Sequence, residues 1–245
     1  MDEGARNNMD NRVKAAAALG AFVAAGLAVM GYLLGSSAIR FKEYERVVSV
    51  KGLAEREVPA DVAVWPIRFA AANADLPALY SSVEADTKQV VAFLTESGFT
   101  PEEITVASPA VTDKLAQQYG NPERVVLRYS AQQSITVYSK RVDLVRQTAN
   151  RLSELGRKGI AFAGSEYGQK EFLFTKLNDV KPAMIEEATR KAREVAEKFA
   201  NDSKSKLGKI RSANQGQFTI TDRDSNTPHI KNVRVVATVD YYLSD

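Results

Sequence analysis

The stretch Ala15–Ile39 constrains what the rest of the chain can do. It runs without a charge between Lys14 and Arg40. As a helix it would reach roughly 37 Å, more than the roughly 30 Å hydrocarbon core of a bilayer. No other apolar run in the chain has that length. The chain therefore reads as single-pass: a short cytoplasmic arm at 1–14, a transmembrane helix at 15–39 and a water-soluble domain at 40–245. A domain of that size can bury a core of its own.

A secretory signal peptide also contains an apolar run, and Ser36-Ser37-Ala38 offers small residues at cleavage spacing. The length of the run, and the acids Asp2, Glu3 and Asp10 in the leader, favour a retained signal-anchor. Basic residues flank both ends, Arg12 and Lys14 before it and Arg40, Lys42 and Arg46 after it, so charge bias sets no orientation. A short leader usually stays in the cytoplasm, and long domains translocate largely regardless of charge. The expected arrangement is a bacterial inner-membrane protein with its C-terminal domain in the periplasm. Ala17, Ala21, Ala24, Ala28, Gly31 and Gly35 share one helix face at 4-3-4-3-4 spacing. Such a face lets helices approach closely in lipid and is the candidate packing surface of the span. A segment this rich in Ala, Gly and Ser also reaches such a register readily by chance.

The net charge is +3. All of it lies beyond the apolar stretch, because Arg6, Arg12 and Lys14 balance Asp2, Glu3 and Asp10. That excess is too small for a nucleic-acid surface. The chain has no cysteine, which excludes disulfides, zinc-thiolate sites, iron–sulfur clusters and cysteine nucleophiles. His229 is the single histidine, so histidine-rich metal sites are excluded and carboxylate-only sites remain.

Along the domain, Val47–Val50 and Asp61–Ala71 read as strands joined by a Pro59-Ala60-Asp61 turn. Pro66 lacks a ladder donor and argues for an edge or a bulge. Asp75 is the expected cap of a helix carrying Leu79/Tyr80, Val83, Thr87, Val90/Val91 and Leu94, with Gly98 at its end. Ile104–Leu115 reads as a strand, Gln117–Arg124 as a loop, and Val125–Tyr138 as a long half-buried strand. Asp143 is placed as the cap of a helix that Gly156 closes, and Phe162–Phe174 as a strand broken at Gly164 and Gly168. A long helix from Asn178 or Asp179 carries Met184, Ala188, Ala192, Val195, Phe199 and Leu207 as its buried stripe, ending at Gly208. Ile210–Ile220 and Val233–Leu243 finish as strands, with a mobile polar loop at Thr221–Pro228. Paired neighbouring strands predict an α+β domain of mainly antiparallel sheet with helices on one face.

The chemical inventory is sparse. No G-x-S-x-G elbow, Walker lysine loop or G-x-G-x-x-G is present. Gly164-Ser165-Glu166-Tyr167-Gly168 has no helix after it and reads as a loop. His229 stands alone beside Pro228; Asp61, Asp143 and Asp240 read as turn, cap and exposed-strand residues; Glu102-Glu103 reads as a solvated turn. No catalytic residue, cofactor or metal ligand is assigned. Tyr138 and Tyr242, on the polar faces of their strands, are candidate interface aromatics, with Trp65 and Tyr241 beside them as aromatics to watch.

Several segments taken in order resemble the SIMPL-domain family. They are Val48-Ser49-Val50-Lys51-Gly52 with Pro59-Ala60-Asp61, Gly98 with Glu103-Ile104, and Tyr129-x-Ala131-x-x-Ser134-Ile135-Thr136-Val137. Further on come Ala188, Ala192 and Ala196, Leu207-Gly208-Lys209, and Val233-x-Val235-x-Ala237-x-Val239. The resemblance covers about residues 46–243. It implies an exported bacterial protein, a link to envelope or oxidative-stress defence, and assembly into a homo-oligomeric ring. It supplies no catalytic motif. The resulting expectation is a non-enzymatic, membrane-anchored assembly module whose partners are the lipid bilayer and copies of itself, with no nucleic acid and no other protein partner identified. Its rivals are a carboxylate-dependent envelope enzyme and a membrane-tethered ligand-binding sensor.

Overall fold

The computed structural model describes residues 17, 19–37, 46–116, 126–163 and 169–244. The apolar stretch forms helix α1 (Leu19–Ser37), none of which is buried. Then follow β1 (Val47–Pro59), β2 (Val62–Asn73), α2 (Leu76–Glu96), a 3-10 turn (Pro101–Glu103), β3 (Ile104–Val106) and β4 (Ala110–Asp113). The middle of the chain holds β5 (Tyr129–Ser139), α3 (Val142–Asn150), α4 (Ser153–Arg157), β6 (Ala161–Phe162) and β7 (Glu171–Leu173). The end holds α5 (Leu177–Asp202), β8 (Lys206–Gln215), β9 (Thr219–Asp222) and β10 (Ile230–Ser244). The expected α+β class with antiparallel sheets is what forms.

The chain divides into two compact units. The first gathers the described residues of Met1–Ala54, Ile185–Gln217 and Val235–Asp245. Its strands follow the order β1-β10-β8, with β10 running from Ala237↔Gln215 to Ser244↔Lys206 against β8. Val50, Val239 and Tyr241 from the sheet and Ala192 and Ala196 from α5 form its core, with Val48 and Leu207 packed against them.

The buried face of α5 here is Ala188, Ala192, Ala196 and Ala200, one small residue per turn. The expected stripe through Val195 and Phe199 is displaced: Val195 is 36% and Phe199 54% exposed, and Leu207 belongs to β8. The cause is a backbone-to-backbone approach. A Cβ on Gly52 would overlap the Ala188 carbonyl oxygen and lie 2.5 Å from the Ala192 nitrogen. Only a helix face without bulk can come that near, so alanines take the seam and the larger side chains turn outward. Gly208 also falls inside β8 rather than ending the helix; α5 stops at Asp202.

The second unit holds Glu55–Met184 and Phe218–Arg234. Its sheet has the order β3-β5-β2-β6, with β4 also on β5 and β7 also on β2. β2 and β5 pair without interruption from Ala63↔Ser139 to Asn73↔Tyr129. Trp65, Ile67 and Phe69 on β2, with Ile135 and Val137 on β5, meet Val90, Phe93 and Leu94 of α2 and Val145 of α3 in the main core. A second cluster joins Leu79 and Val83 to Ala131.

β2 is an interior strand, so the edge expected from Pro66 does not exist. Pro66 instead falls between the residues that pair with β7, Val62–Val64, and those that pair with β6, Phe69 and Ala70. Ala163 N–H donates to the Arg68 carbonyl, so alternate residues of β2, Pro66 among them, direct their backbone groups to that side. Among the described residues, none pairs with Pro66 on that side, where its missing donor would otherwise leave a ladder bond unmade.

Asp75 caps α2 as expected, its Oδ2 accepting from the Ala78 N–H at 3.0 Å, and Gly98 follows with φ 100°. Other boundaries differ. The Ile104–Leu115 strand divides into β3 and β4 around Pro109. β5 begins at Tyr129, leaving Leu127 partly exposed outside it; Gln117–Val125 and Gly164–Gly168 lie outside the described residues. Asp143 is inside the first turn of α3, whose cap position is Arg141, and its carboxylate pairs with Arg146 instead. Gly156 lies within α4. The Ile210–Ile220 strand divides into β8 and β9.

Glu103 is more than a solvated turn. Its carboxylate accepts from the Arg141 guanidinium, the Ser139 hydroxyl and the Thr100 N–H, while Arg141 also donates to the Gly98 carbonyl at 3.0 Å. These bonds join the end of α2, the 3-10 turn and the β5–α3 corner. Burial opposes ionisation, but the bonds to Arg141, Ser139 and Thr100 and the Arg141 charge outweigh it, holding the Glu103 pKa at about 2.

Two outcomes follow for stability. Gly52→Ala is expected to cost about 3 kcal/mol in chemical denaturation, as an overpacked contact with rigid backbone does; a loss below about 0.5 kcal/mol, the range of inert surface changes, would contradict the packing. For Glu103, the unfolded chain binds the proton more readily than the folded one, so its contribution is present above about pH 4.5 and lost as pH falls toward about 2. Glu103→Gln should therefore lower stability at neutral pH and flatten its decline across that acid window, read from denaturation midpoints at successive pH values.

Candidate functional site

A cleft of about 510 Å³ opens in the second unit, lined on one side by Asp143, Arg146, Gln147 and Asn150. These four stand at i, i+3, i+4 and i+7, the spacing that places residues on one face of a helix, here α3. Val145 and Thr148, on the other face, are buried. The amphipathic pattern that packs α3 against the sheet thus leaves a polar stripe aimed outward.

The opposite wall comes from the loop before β10, through Ser225, Asn226, Pro228 and His229, and from the start of β7, through Lys170 and Phe172. The loop is organised by internal hydrogen bonds around Asp224. Asp224 accepts from the backbone N–H groups of Asn226 at 2.8 Å and Thr227 at 2.7 Å, from the Thr227 hydroxyl and from Arg223 Nε at 3.0 Å. Those donors keep the Asp224 carboxyl well below the usual carboxylate range. The His229 carbonyl accepts from the Ala60 N–H at 2.8 Å, and its ring meets Phe172 edge-on at 6.0 Å. Burial pushes the His229 pKa down and the Arg146 and Arg223 charges add to this, against the opposing pull of Asp143 and Asp224. The imidazole is therefore neutral at pH 7.

Charge in the cleft is asymmetric. Arg146 Nη1 is engaged by Asp143 Oδ1 at 2.9 Å. Among the described residues Lys170 has no ion-pair partner. Lys170 also borders two neighbouring depressions in the same unit, one lined by Glu171, Thr175, Asp222 and Lys231, the other by Trp65, Leu152, Ile160 and Phe162. The first of these brings together two acids, but Asp222 is bound by the buried Lys231 ammonium.

The other residues singled out in the sequence are dispersed. Asp61 accepts from the Thr175 N–H and hydroxyl, both at 2.7 Å; burial alone would raise its pKa, and these two bonds bring it below the ordinary value. Asp240 accepts from the Ser212 hydroxyl at 2.6 Å. Trp65 and Tyr241 are core residues. Tyr138 is 51% exposed on β5, whereas Tyr242 is only half-exposed on β10 and belongs to the other unit. On α1, the candidate packing residues Ala17, Ala21, Ala24, Ala28, Gly31 and Gly35 are all exposed. Among the described residues no three His, Asp or Glu side chains converge as a metal site. Of the cleft residues, His229 and Asp143 alone drew notice in the sequence. The polar stripe of α3 is a readable signal for Arg146, Gln147 and Asn150; Lys170, Phe172, Ser225 and Asn226 carry no comparable one.

No curated protein matches the chain. The family model described as SIMPL, a protein of unknown function (DUF541), matches residues 48–240. That range takes in the elements after α1 in both units, from β1 to most of β10, and leaves α1 outside it. The chain belongs to the SIMPL family.

Proposed function

We propose that this protein is a membrane-anchored, non-enzymatic SIMPL module that faces the periplasm and assembles with copies of itself. The observation that carries the reading is α1: a helix of 19 residues, apolar enough to cross a bilayer, with no part of it buried by protein. An apolar surface of that extent is stable only against lipid or another apolar surface. Lipid on all sides, or lipid on one side and neighbouring α1 helices on the small-residue face, would satisfy it.

Self-association draws support from the sheet of the first unit. β1 and β8 end its strand order, and β8 is exposed along most of its length. An open edge strand is a template for pairing with another chain. Joining the β8 edge of one copy to the β1 edge of the next is a heterologous contact, the kind that generates rings where the rotation closes. Lys206, Lys209 and Arg211 on β8 would make such pairing selective, since edge charges suppress indiscriminate partners. The link to envelope or oxidative-stress defence is carried over from the family resemblance and forms part of the proposal.

Alkaline carbonate extraction tests the anchor: the protein should stay in the membrane pellet at the mass of the uncleaved chain. Release, or a mass shortened at Ala38, would replace the anchor with a signal peptide. Light scattering of the detergent-purified protein tests the assembly: a defined multimer is expected, and a strict monomer at micromolar concentration would remove self-association from the account. Replacing Gly31 and Gly35 by leucine should lower the multimer's stability; unchanged assembly would leave α1 as a plain tether.

A further inference from the structure

The cleft between α3 and the loop before β10 has the chemistry of a ligand site that family membership does not assign. Three features fix the class of ligand. The first is charge. Asp143 and Arg146 balance each other, burial lowers the His229 pKa, and among the described residues Lys170 has no ion-pair partner and lines the cleft. A carboxylate carries one negative charge at neutral pH, whereas a phosphate monoester carries about −1.5 to −2. One open cation therefore matches a carboxylate better.

The second feature is the polar lining. Gln147 and Asn150 on α3 and Asn226 on the loop present amides to the same space, beside the Ser225 hydroxyl. Each amide offers both donors and an acceptor, the complement of a ligand hydroxyl, which is donor and acceptor at once. The third is the apolar floor of Phe172 and Pro228, a surface for the C–H face of a ring. The volume of about 510 Å³ falls within the range of small-molecule sites, roughly 300–1,000 Å³. The loop wall is held in place by Asp224, so little ordering would accompany binding.

We propose that this cleft binds a small hydroxylated carboxylate of the sugar-acid class, with its carboxylate on Lys170 and its hydroxyls on Gln147, Asn150 and Asn226. The site lies wholly within the second unit and does not depend on the anchor or on assembly.

Calorimetric titration of the full chain in detergent, with D-glucuronate, D-glucose and inorganic phosphate at neutral pH, tests the proposal. Saturable binding of glucuronate is expected, with glucose, which lacks the charge, weaker by about tenfold or more, the value of one charge-assisted contact, and phosphate, which lacks the ring hydroxyls, weaker by a similar factor. Lys170→Met should weaken glucuronate by a similar factor while leaving the ligand-free melting temperature unchanged. Asn150→Asp, which places a second negative charge on the exposed stripe, should do the same and serves as the independent variant should Lys170→Met fail to fold. Absence of saturable glucuronate binding at millimolar concentration would overturn the assignment. So would equal binding of glucose or phosphate, or undiminished binding by a folded variant.

Discussion

The approach of α5 to β1 at Gly52 is the contact on which the first unit depends. Gly52 leaves no room for a side chain, and Ala188, Ala192, Ala196 and Ala200 answer it with one small residue per turn. Close approach multiplies dispersion contacts, each worth only about 0.1–0.2 kcal/mol but many in number. It also removes tolerance, since a seam of glycine and alanine cannot relax around an added methyl group. The remaining core follows from it: Val50, Val239 and Tyr241 can reach α5 only because the backbones lie so near.

The second unit is held differently, by bulk and by fixed corners. Trp65, Ile67, Phe69, Phe93 and Leu94 fill the space between the sheet and its helices. The Glu103–Arg141 pair with Ser139 and Gly98 ties the ends of those elements together, and Asp224 organises the loop before β10. A cleft bounded by such fixed walls keeps its shape without a ligand, which is what recognition of a small polar molecule requires.

How much of this was legible depends on what leaves a periodic trace. The alternation of Trp65, Ile67 and Phe69, of Ile135 and Val137, and of Val233, Val235 and Val239 announced the central strands, because each buries one face only. Asp75 and Gly98 announced both ends of α2. The buried face of α5 is legible at Met184, Ala188 and Ala192 but not beyond, because hydropathy follows Val195 and Phe199 whereas packing follows the absence of volume at Gly52. The division of the Ile104–Leu115 strand at Pro109 was readable and was passed over. The edge or bulge expected at Pro66 could not place β2 in the sheet, because its pairing with β6 and β7 on the side away from β5 is a tertiary fact. The cleft was hidden because its walls come from residues 143–150, 170–172 and 225–229, and no local pattern joins them.

The chain belongs to the SIMPL family and carries an unburied α1 apolar enough to cross a membrane; the proposed reading adds that the polar-lined cleft faces outward from that membrane. The chain has no cysteine, so Ser225→Cys introduces a single thiol in the exposed loop beside that cleft. Labelling intact spheroplasts with a membrane-impermeant maleimide is the most direct measurement. Full labelling of Cys at this position before lysis is the expected result; labelling that appears only after the membrane is broken would contradict the account.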